Sequence, residues 1–359
     1  MNYSYLLSEP MKVKPKSNRA SRQKSSNTPP NVLRLNYNES HYGMSPKTME
    51  AFIESTTSSY KYPDWFAIDL KETIGEYYGV DKSCVVPTAG SSALIDMIGA
   101  VFINPGDEVL FGDPTFEAFR DMANDFGGVP VPVPLDEDMY FDLDAIYNAI
   151  TPKTKIIVIC NPNNPTGTFL PSAKVEEFVR KVPENIIVVV DEAYIDYVDI
   201  EGTYSMAKLI KEGYEKPLIV LRTFSKIYGM AGVRVGFGIM HPDLADELAK
   251  SCHAWNVSVA GQYTAAAALK DQEYIKEIKK LTIESRNYVE TELTNLGCTV
   301  IPSQTSFIYF KAPIEPKELT AKLAEYDINI GTFAYSRVSL GTMEMNKRFI
   351  DAMKEILSK

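Results

Sequence analysis

The stretch TFSKIYGMAGVRVGF, residues 223–237, is the part of the sequence that decides the fold. It follows an apolar run at residues 218–221, and similar runs occur upstream at 156–159 and 186–190. Short apolar runs of this kind are typical of strands buried on both faces of a parallel sheet. Because strand signals alternate with helix signals around them, the sequence predicts a doubly wound α/β fold.

A polar segment follows each of these three runs. NPNNPTG occupies residues 161–167, DEAY occupies residues 191–194, and the third segment contains Lys226. Ligands of open α/β sheets bind beyond the carboxyl ends of the strands, so we expect an asparagine, Asp191 and Lys226 to converge on one crevice. Pyridoxal phosphate (PLP) chemistry requires an amine that forms a Schiff base, a carboxylate beside the pyridine nitrogen and a donor to the phenolate oxygen. The three segments therefore predict a PLP site.

Further residues near these segments offer donors for the phosphate of such a cofactor. Thr223, Ser225 and Arg234 supply two hydroxyl groups and a cation. Ser91 and Ser92 open a predicted helix, and the backbone N–H groups at a helix N-terminus bind phosphate. A Gly-Ser-Ser turn on its own is equally typical of an ordinary helix cap.

Each of these residues also has an ordinary structural interpretation. A lysine after a strand is usually a solvated charge, and Asp191 could cap a helix. A carboxylate buried at a sheet end, however, needs a cation or a donor, and a pyridinium N–H is such a partner. Phe116, in DPTFEAF, either belongs to the core or stacks on a flat ring. Tyr194 is either a core residue or a donor to the phenolate oxygen.

The composition restricts the classes of function. The net charge of −10 over 359 residues argues against a general binder of nucleic acid or of anionic membranes. The four cysteines are scattered, so we expect a reducing, cytoplasmic environment. We expect no metal site, because the three histidines lack a metal-ligand spacing. We also expect no membrane span, because no apolar run is long enough.

The length predicts one large domain and one smaller domain. We assign residues 50–245 to the large, PLP-binding domain, and residues 31–49 and 246–359 to a small α+β domain. Residues 1–30 carry six Lys or Arg side chains among Ser, Asn and Pro, which is typical of a disordered basic extension. A targeting peptide, or an arm that folds over a partner subunit, is the alternative.

Two strands of the large domain are predicted to depart from the parallel pattern. Residues 129–133 contain alternate prolines, which favours an edge strand. Residues 233–240 follow the run at 218–221 by a link too short for a helix crossover, which favours an antiparallel strand. In the small domain we expect helices at 243–252 and 262–296, strands at 306–310 and 338–340, and a closing helix at 345–357.

Taken together, the motifs resemble those of fold-type I PLP enzymes, and most of all the histidinol-phosphate aminotransferase branch of the class I and II aminotransferases. TAGSSALIDMI, DPTFEAF, NPNNPTG, DEAYIDY and TFSKIYGMAGVRVGF occur in the same order. NESHYGMSP at 38–46, KYPD at 61–64 and RVSLGT at 337–342 extend the resemblance to about residues 32–355. It implies a fold with a mostly parallel sheet flanked by helices, plus a smaller α+β domain.

The resemblance also implies roles for individual residues. Lys226 is expected to form the Schiff base and to move protons, and Asp191 to pair with the pyridine nitrogen. Arg337 is expected to clamp the α-carboxylate of the substrate in the bidentate manner of a guanidinium. Tyr37 and Asn38 are expected to contact the substrate.

The remaining cofactor contacts follow from the same resemblance. Asn164 and Tyr194 are expected to contact the phenolate oxygen, and Phe116 to stack on the ring. Tyr62 is expected to reach the phosphate of a partner subunit, which implies a homodimer. The phosphate is expected to be held by Ser91, Ser92, Thr223, Ser225 and Arg234.

The sequence departs from the family pattern at three places. His41 stands where proline is usual, and Phe116 where tyrosine is usual. An arginine for the substrate phosphate is usual before the final strand, but residues 329–332 read Asn-Ile-Gly-Thr. Histidinol phosphate is therefore predicted to be a poor or secondary substrate, unless Arg222 or the basic extension supplies the missing cation.

We predict a homodimeric PLP-dependent aminotransferase that moves an amino group between an amino acid, or an amino-alcohol phosphate, and a 2-oxo acid. Another PLP-dependent reaction, such as decarboxylation, cyclisation or oxidation of an amino acid, is an alternative, because the sequence does not fix which bond at Cα breaks. A PLP-binding regulator without enzyme activity is a further interpretation, but the basic extension is too short for a helix-turn-helix domain.

Overall fold

Two β-sheets form the framework of residues 31–358, the part of the chain that the computed structural model describes. The predicted basic extension at residues 1–30 lies outside this range. In chain order the strands are β1 (Leu33–Leu35), β2 (Val85–Thr88), β3 (Glu108–Asp113), β4 (Val129–Pro134), β5 (Thr154–Cys160), β6 (Ile187–Asp191), β7 (Leu218–Thr223), β8 (Gly236–Met240), β9 (Thr299–Ile301), β10 (Phe307–Lys311), β11 (Ile328–Thr332) and β12 (Ser336–Ser339).

Several helices begin at side chains that cap their first N–H groups. Ser45 accepts from the N–H of Thr48, and Asp142 and Ser258 cap two later helices in the same way.

Within residues 31–358, none of the helices is both long enough and apolar enough to cross a membrane. In chain order the helices are α1 (Pro46–Thr56), α2 (Ile68–Tyr78), α3 (Ser91–Phe102), α4 (Ala118–Asp125), α5 (Leu143–Asn148), α6 (Ser172–Lys181), α7 (Ala207–Lys211), α8 (Pro242–Ala249), α9 (Val259–Lys270), α10 (Gln272–Asn295), α11 (Pro316–Ala324) and α12 (Met343–Leu357).

The larger sheet has seven strands in the order β2-β8-β7-β6-β5-β3-β4. The strands from β7 to β4 run parallel to one another, whereas β8 runs antiparallel to both β7 and β2. The predicted α/β fold with a mostly parallel sheet is therefore confirmed. The antiparallel strand expected at 233–240 is confirmed too, since the link from β7 to β8 holds no crossover helix.

Strand β4 lies at one edge of the larger sheet, as its prolines predicted. Pro130, Pro132 and Pro134 alternate along it and have no N–H group to donate. Inside a sheet they would leave gaps in the hydrogen-bond ladder, so the strand is suited to an edge.

The strands β5, β6 and β7 are neighbours, and their carboxyl ends are in register. Cys160 pairs with Asp191, and Asp191 pairs with Leu221. Every residue of β6 and β7 is buried, which explains the unbroken apolar runs. The three polar segments therefore leave the sheet along the same edge, as the sequence predicted.

The smaller sheet has the order β1-β11-β12-β10-β9. Its strand β12 carries Arg337, which pairs with Tyr309 of β10 and with Gly331 of β11. The strands predicted at 306–310 and 338–340 correspond to β10 and β12. The sequence missed β1, β9 and β11, because runs of three to five residues show too little alternation to be recognised.

The single helix predicted at residues 262–296 is wrong. Two helices, α9 and α10, occupy this range and are separated at Asp271, whose φ of −102° and ψ of 59° are not helical. Helix α9 packs on α1 and α2, whereas α10 reaches α12 and β9. The turn at Asp271 allows the two helices to make these different contacts. The Asp271 carboxylate forms an ion pair with Lys47 at 3.3 Å.

Two hydrophobic clusters suggest where the domains meet. The larger cluster surrounds the seven-stranded sheet, extends along the chain through α9 to Ile278 and also includes Phe307 of β10. The smaller cluster includes Leu35 of β1 and resumes at Val289 of α10. The predicted boundary at residue 245 stays a prediction, and we propose moving it into α10, between Ile278 and Val289.

Candidate active site

A cavity of about 500 Å³ opens at the carboxyl ends of β5, β6 and β7. All the predicted cofactor residues except Tyr62 border it: Ser91, Ser92, Phe116, Asn164, Asp191, Tyr194, Thr223, Ser225, Lys226 and Arg234. Residues that the sequence did not single out border it as well: Arg34, Glu39, Cys160, Ala193 and Ala231.

Lys226 lies in the bend after β7, on the wall of this cavity. Its neighbours Phe224 and Ile227 are fully buried and anchor the backbone. The Nζ atom lies 5.3 Å from the centre of the Tyr194 ring and 3.4 Å from the backbone oxygen of Asn38. An amine fixed on a cavity wall in this way is placed to bond covalently to a carbonyl compound.

Asp191 is the last residue of β6, and only 4% of its surface is exposed. The backbone N–H of Ala193 donates to its carboxylate over 2.9 Å. Burial raises the pKa of Asp191 to about 6, while the Ala193 hydrogen bond and the charges of Lys226 and Arg222 oppose the rise. A carboxylate in this environment gains from a cationic N–H partner inside the cavity.

Arg234 and the N-terminus of α3 form a set of donors at the cavity wall. The Nη1 atom of Arg234 lies 3.4 Å from the Ser225 hydroxyl and 2.9 Å from the backbone oxygen of Ala231. Gly90 precedes α3 with a φ of 90°, and a Cβ at this position would collide with the Arg234 guanidinium. A guanidinium, hydroxyl groups and helix N–H groups together suit a phosphate dianion.

Arg337, on β12 of the smaller sheet, does not border the cavity itself but contacts Asn164, which does. Its guanidinium is buried and donates to the side-chain oxygen of Asn164 and, over 2.8 Å, to the backbone oxygen of Asn36. Both partners are neutral, and burial lowers the pKa of Arg337. The ring of Phe333 lies 4.8 Å from the guanidinium carbon. A buried guanidinium with neutral partners favours an incoming carboxylate.

Arg34 and Glu39 face the cavity as an ion pair that sequence reasoning missed. Their side chains are 2.9 Å apart, and each is about one-third exposed. The ring of Tyr37, a predicted substrate contact, lies 5.4 Å from the Arg34 guanidinium carbon and also borders the cavity. The signal in the sequence was weak: Arg34 alternates with the apolar residues of β1, so its side chain points away from their face.

Asn38, the other predicted substrate contact, lies behind the cavity wall rather than on it. It is 2% exposed, and its side chain donates to the Tyr194 hydroxyl over 3.0 Å. The hydroxyl of Ser339 donates to its side-chain oxygen over 2.9 Å. The structure therefore brings Asn38 together with Tyr194, and its contact with substrate stays a prediction.

Comparison with known proteins identifies the family. A model of the family "Aminotransferase class I and II" matches residues 30–353. The chain belongs to this family. A histidinol-phosphate aminotransferase from Moorella thermoacetica is 35% identical to it, over 91% of this chain and 86% of the relative. An aromatic amino acid aminotransferase from Cutibacterium acnes is 34% identical, over 90% and 92% of the two chains.

A solved structure supports the same assignment. The histidinol-phosphate aminotransferase from Sinorhizobium meliloti, crystallised in complex with pyridoxal-5'-phosphate, aligns with a TM-score of 0.85, 25% identity and 91% coverage of both chains. The present chain is accordingly a PLP-dependent aminotransferase of fold type I, as its motifs predicted. The cavity fits the cofactor, since it offers a phosphate-binding donor set, a buried carboxylate and a lysine amine.

Two aromatic residues of this aminotransferase have different positions relative to the cavity. Phe116 borders it and meets Phe119 edge to face, with ring centroids 6.0 Å apart. Tyr62 lies away from it, is 77% exposed and stacks on Trp255 at a centroid distance of 4.3 Å. Its expected contact with a partner subunit stays a prediction.

Arg222 does not supply a cation to the cavity of this aminotransferase, so the suggestion that it binds a substrate phosphate is wrong. It is 4% exposed and forms ion pairs with Asp196 at 2.7 Å and with Glu192 at 3.5 Å. Burial raises the pKa of Glu192 to about 7, and the charge of Arg222 opposes this rise. The Arg222 guanidinium therefore forms ion pairs with two carboxylates that follow β6.

Proposed function

We propose that this aminotransferase moves amino groups between α-amino acids and 2-oxo acids, with Lys226 as the catalytic base and Arg337 as the carboxylate clamp. One observation carries the proposal: Arg337 is a buried guanidinium with neutral partners, and one of these, Asn164, borders the cavity that also contains Lys226. A substrate carboxylate at Arg337 would be held close to the lysine by a bidentate pair.

The residues around Lys226 suit a proton transfer at the substrate's Cα. When bound, PLP supplies an electron sink for the bonds at that atom. Lys226 would hold the cofactor covalently, and its amine, when free, would take up the proton that leaves Cα. The neutral carbonyl of Asn38, at 3.4 Å, accepts from the amine without fixing it in an ion pair.

The other cavity residues are proposed to hold and polarise the cofactor. Asp191 keeps the pyridine nitrogen protonated, because its buried carboxylate gains a cationic partner there. Asn164 and Tyr194 donate to the phenolate oxygen. Since the Asn164 oxygen already accepts from Arg337, its NH₂ group is left to donate. Phe116 stacks on the ring, and the phosphate is bound by Ser91, Ser92, Thr223, Ser225 and Arg234.

We further propose a homodimer in which Tyr62 reaches the phosphate site of the partner subunit. Tyr62 belongs to a group of exposed aromatic side chains, and large exposed apolar patches commonly mark interaction surfaces. The group comprises Tyr60, Tyr62, Trp65, Phe66 and Trp255. A cytoplasmic location is proposed from the four cysteines, all of which are free thiols.

The preferred amino donor is proposed to be an α-amino acid, with histidinol phosphate as a secondary donor. A phosphate dianion needs more than one matched cation. Arg337, beside the cavity residue Asn164, has neutral partners, whereas the charge of Arg34 on the cavity wall is balanced by Glu39. The second candidate, histidinol phosphate as the main donor, is favoured by the name of the Moorella thermoacetica relative.

A panel of amino donors tests this function. The PLP-loaded protein is mixed with each donor in the absence of an acceptor, and the loss of the lysine-bound cofactor's visible absorbance is followed together with release of the 2-oxo acid. We expect stoichiometric 2-oxo acid and conversion of the cofactor to its amine form. Carbon dioxide or peroxide release in place of the 2-oxo acid contradicts the proposal. The matched control is Lys226→Ala, which should show neither change.

A further inference from the structure

The side chain of Asn38 makes a set of hydrogen bonds that the reaction as described above does not use. Its NH₂ group donates to the Tyr194 hydroxyl over 3.0 Å, and its oxygen accepts from the Ser339 hydroxyl over 2.9 Å. The Asn38 backbone N–H donates to the same serine oxygen over 2.9 Å, and its backbone oxygen accepts from the Lys226 amine. One buried residue thus contacts both the lysine and the tyrosine.

Ser339 determines which way the Asn38 amide points. Ser339 is fully buried, and its oxygen already accepts the backbone N–H of Asn38. The serine proton needs an acceptor, because an unpaired buried hydroxyl is costly. The side-chain oxygen of Asn38 is that acceptor. The NH₂ group must therefore face Tyr194, since an amide has one oxygen and one nitrogen end.

This orientation decides what the Tyr194 hydroxyl does with its own proton. The hydroxyl is a donor and an acceptor, and Asn38 occupies it as an acceptor. The proton of the Tyr194 hydroxyl is therefore available for donation to a partner other than Asn38. Tyr194 borders the cavity, where the phenolate oxygen of the cofactor is proposed to lie. A hydroxyl that accepts one hydrogen bond is also a stronger donor in the next.

The backbone at Asn38 is adapted to this arrangement. Its φ is 55°, in the left-handed region that asparagine and glycine adopt more readily than other residues. The turn carries the chain from β1 of the smaller sheet to the Tyr194 hydroxyl. On the other side, Ser339 lies on β12, two residues after Arg337, so the two side chains point to the same face of the strand.

We propose that Asn38 is a positioning residue, which directs the proton of Tyr194 into the cavity and ties this hydroxyl, through Ser339, to the strand that carries Arg337. The inference rests on the proposed role of Tyr194 as a donor to the phenolate oxygen. It assigns Asn38 to the support of a cofactor contact rather than to substrate binding.

The pH dependence of the bound cofactor's visible absorption tests this role. A hydrogen bond donated to the phenolate oxygen stabilises its negative charge and therefore favours the deprotonated form of the bound chromophore. Tyr194→Phe removes the donor and should raise the pH at the midpoint of this absorption change by on the order of one unit. Asn38→Gly keeps the backbone conformation, removes the amide and should raise the midpoint in the same direction by about half as much or more.

The double variant decides whether Asn38 acts through Tyr194. Effects that act through one group are not additive, so Asn38→Gly combined with Tyr194→Phe should have the midpoint of Tyr194→Phe alone. Asn346→Ala is the matched control: Asn346 is also 2% exposed, and its amide forms two hydrogen bonds with the backbone of Gly341. It should lower the melting temperature but leave the absorption midpoint unchanged.

Two different results would overturn two different claims. If Tyr194→Phe shifts the midpoint but Asn38→Gly does not, or if the two shifts add, the positioning role is wrong and the proposed function stands. If Tyr194→Phe leaves the midpoint unchanged, Tyr194 is not a donor to the phenolate oxygen. In that case this part of the proposed function fails, and the inference about Asn38 fails with it.

Discussion

The guanidinium of Arg337 donates a hydrogen bond to the side chain of Asn164, although 173 residues separate the two in the chain. The contact joins β12 of the smaller sheet to the NPNNPTG segment at the end of β5. A neutral amide oxygen is a weaker partner for a guanidinium than a carboxylate. We therefore propose that an incoming carboxylate binds Arg337 directly beside the proposed cofactor contact.

Replacing this guanidinium should weaken substrate binding without affecting the cofactor. Arg337→Lys should raise KM for α-amino acids by about 10-fold to 100-fold, since an ammonium loses a charge-assisted bond worth roughly 1.5–3 kcal/mol. PLP affinity, measured by titration of the cofactor-free protein, should stay unchanged. Arg286→Lys is the control, because Arg286 is also buried but its guanidinium forms an ion pair with Asp199 at 2.7 Å instead of contacting neutral groups. An unchanged KM in Arg337→Lys would place the carboxylate elsewhere.

Neutralising Asp191 should remove most of the activity while PLP still binds. An amide cannot stabilise a protonated pyridine nitrogen, so Asp191→Asn should raise the activation free energy by about 3 kcal/mol or more. The measurement is kcat under saturating PLP, with Asp271→Asn as a control for the same change at a buried aspartate away from the cavity. Near-normal turnover in Asp191→Asn would show that the nitrogen need not be protonated.

The same substitution should stabilise the protein in the absence of cofactor. The pKa of Asp191 is raised from 3.8 to about 6 in the folded state, so the folded protein binds its proton more tightly than the unfolded chain. The bound proton therefore stabilises the folded state below pH 3.8, and this stabilisation is lost as the pH rises through 6. At pH 7.5 the cofactor-free Asp191→Asn variant should therefore be more stable by roughly 3 kcal/mol. At pH 4 the gain should be nearly absent. A gain that does not depend on pH would show that its origin is not the carboxyl group.

The preference among amino donors follows from the cations around the substrate. We expect kcat/KM for at least one α-amino acid to exceed that for histidinol phosphate, because Arg337, with two neutral partners, suits a single carboxylate, whereas the charge of Arg34 is already balanced by Glu39. The test compares histidinol phosphate with aromatic and aliphatic amino acids under the same acceptor, 2-oxoglutarate. If kcat/KM for histidinol phosphate is higher by tenfold or more, the predicted preference is wrong. The next variants would then replace cations outside the described residues.

The central sheet and much of the cavity could be predicted from the sequence, because both depend on local patterns. Buried parallel strands appear as unbroken apolar runs, and the residue after each run is fixed at the carboxyl edge. For this reason the sequence predicts the positions of Asp191 and Lys226 at this edge. The antiparallel β8 and the edge strand β4 were predictable for similar reasons, namely a short link and alternate prolines.

The remaining features depend on contacts between distant parts of the chain. Asn38 and Ser339 are 301 residues apart, so no local pattern reveals that the serine orients the asparagine amide. The break between α9 and α10 arises because α9 packs on α1 and α2 whereas α10 packs on α12 and β9, although the apolar periodicity of the two helices is nearly continuous. Arg34 and Glu39 carry ordinary surface charges in the sequence, and only the fold brings them to the cavity.

The most direct test of the proposed active site is to locate the lysine that holds the cofactor. The PLP-loaded protein is reduced with borohydride, which makes the bond between lysine and cofactor permanent, then digested and mapped by mass spectrometry. We expect the cofactor on Lys226 and none on the Lys226→Ala variant, which keeps the fold. A label on any other lysine, or a protein that is reduced without becoming labelled, would contradict it.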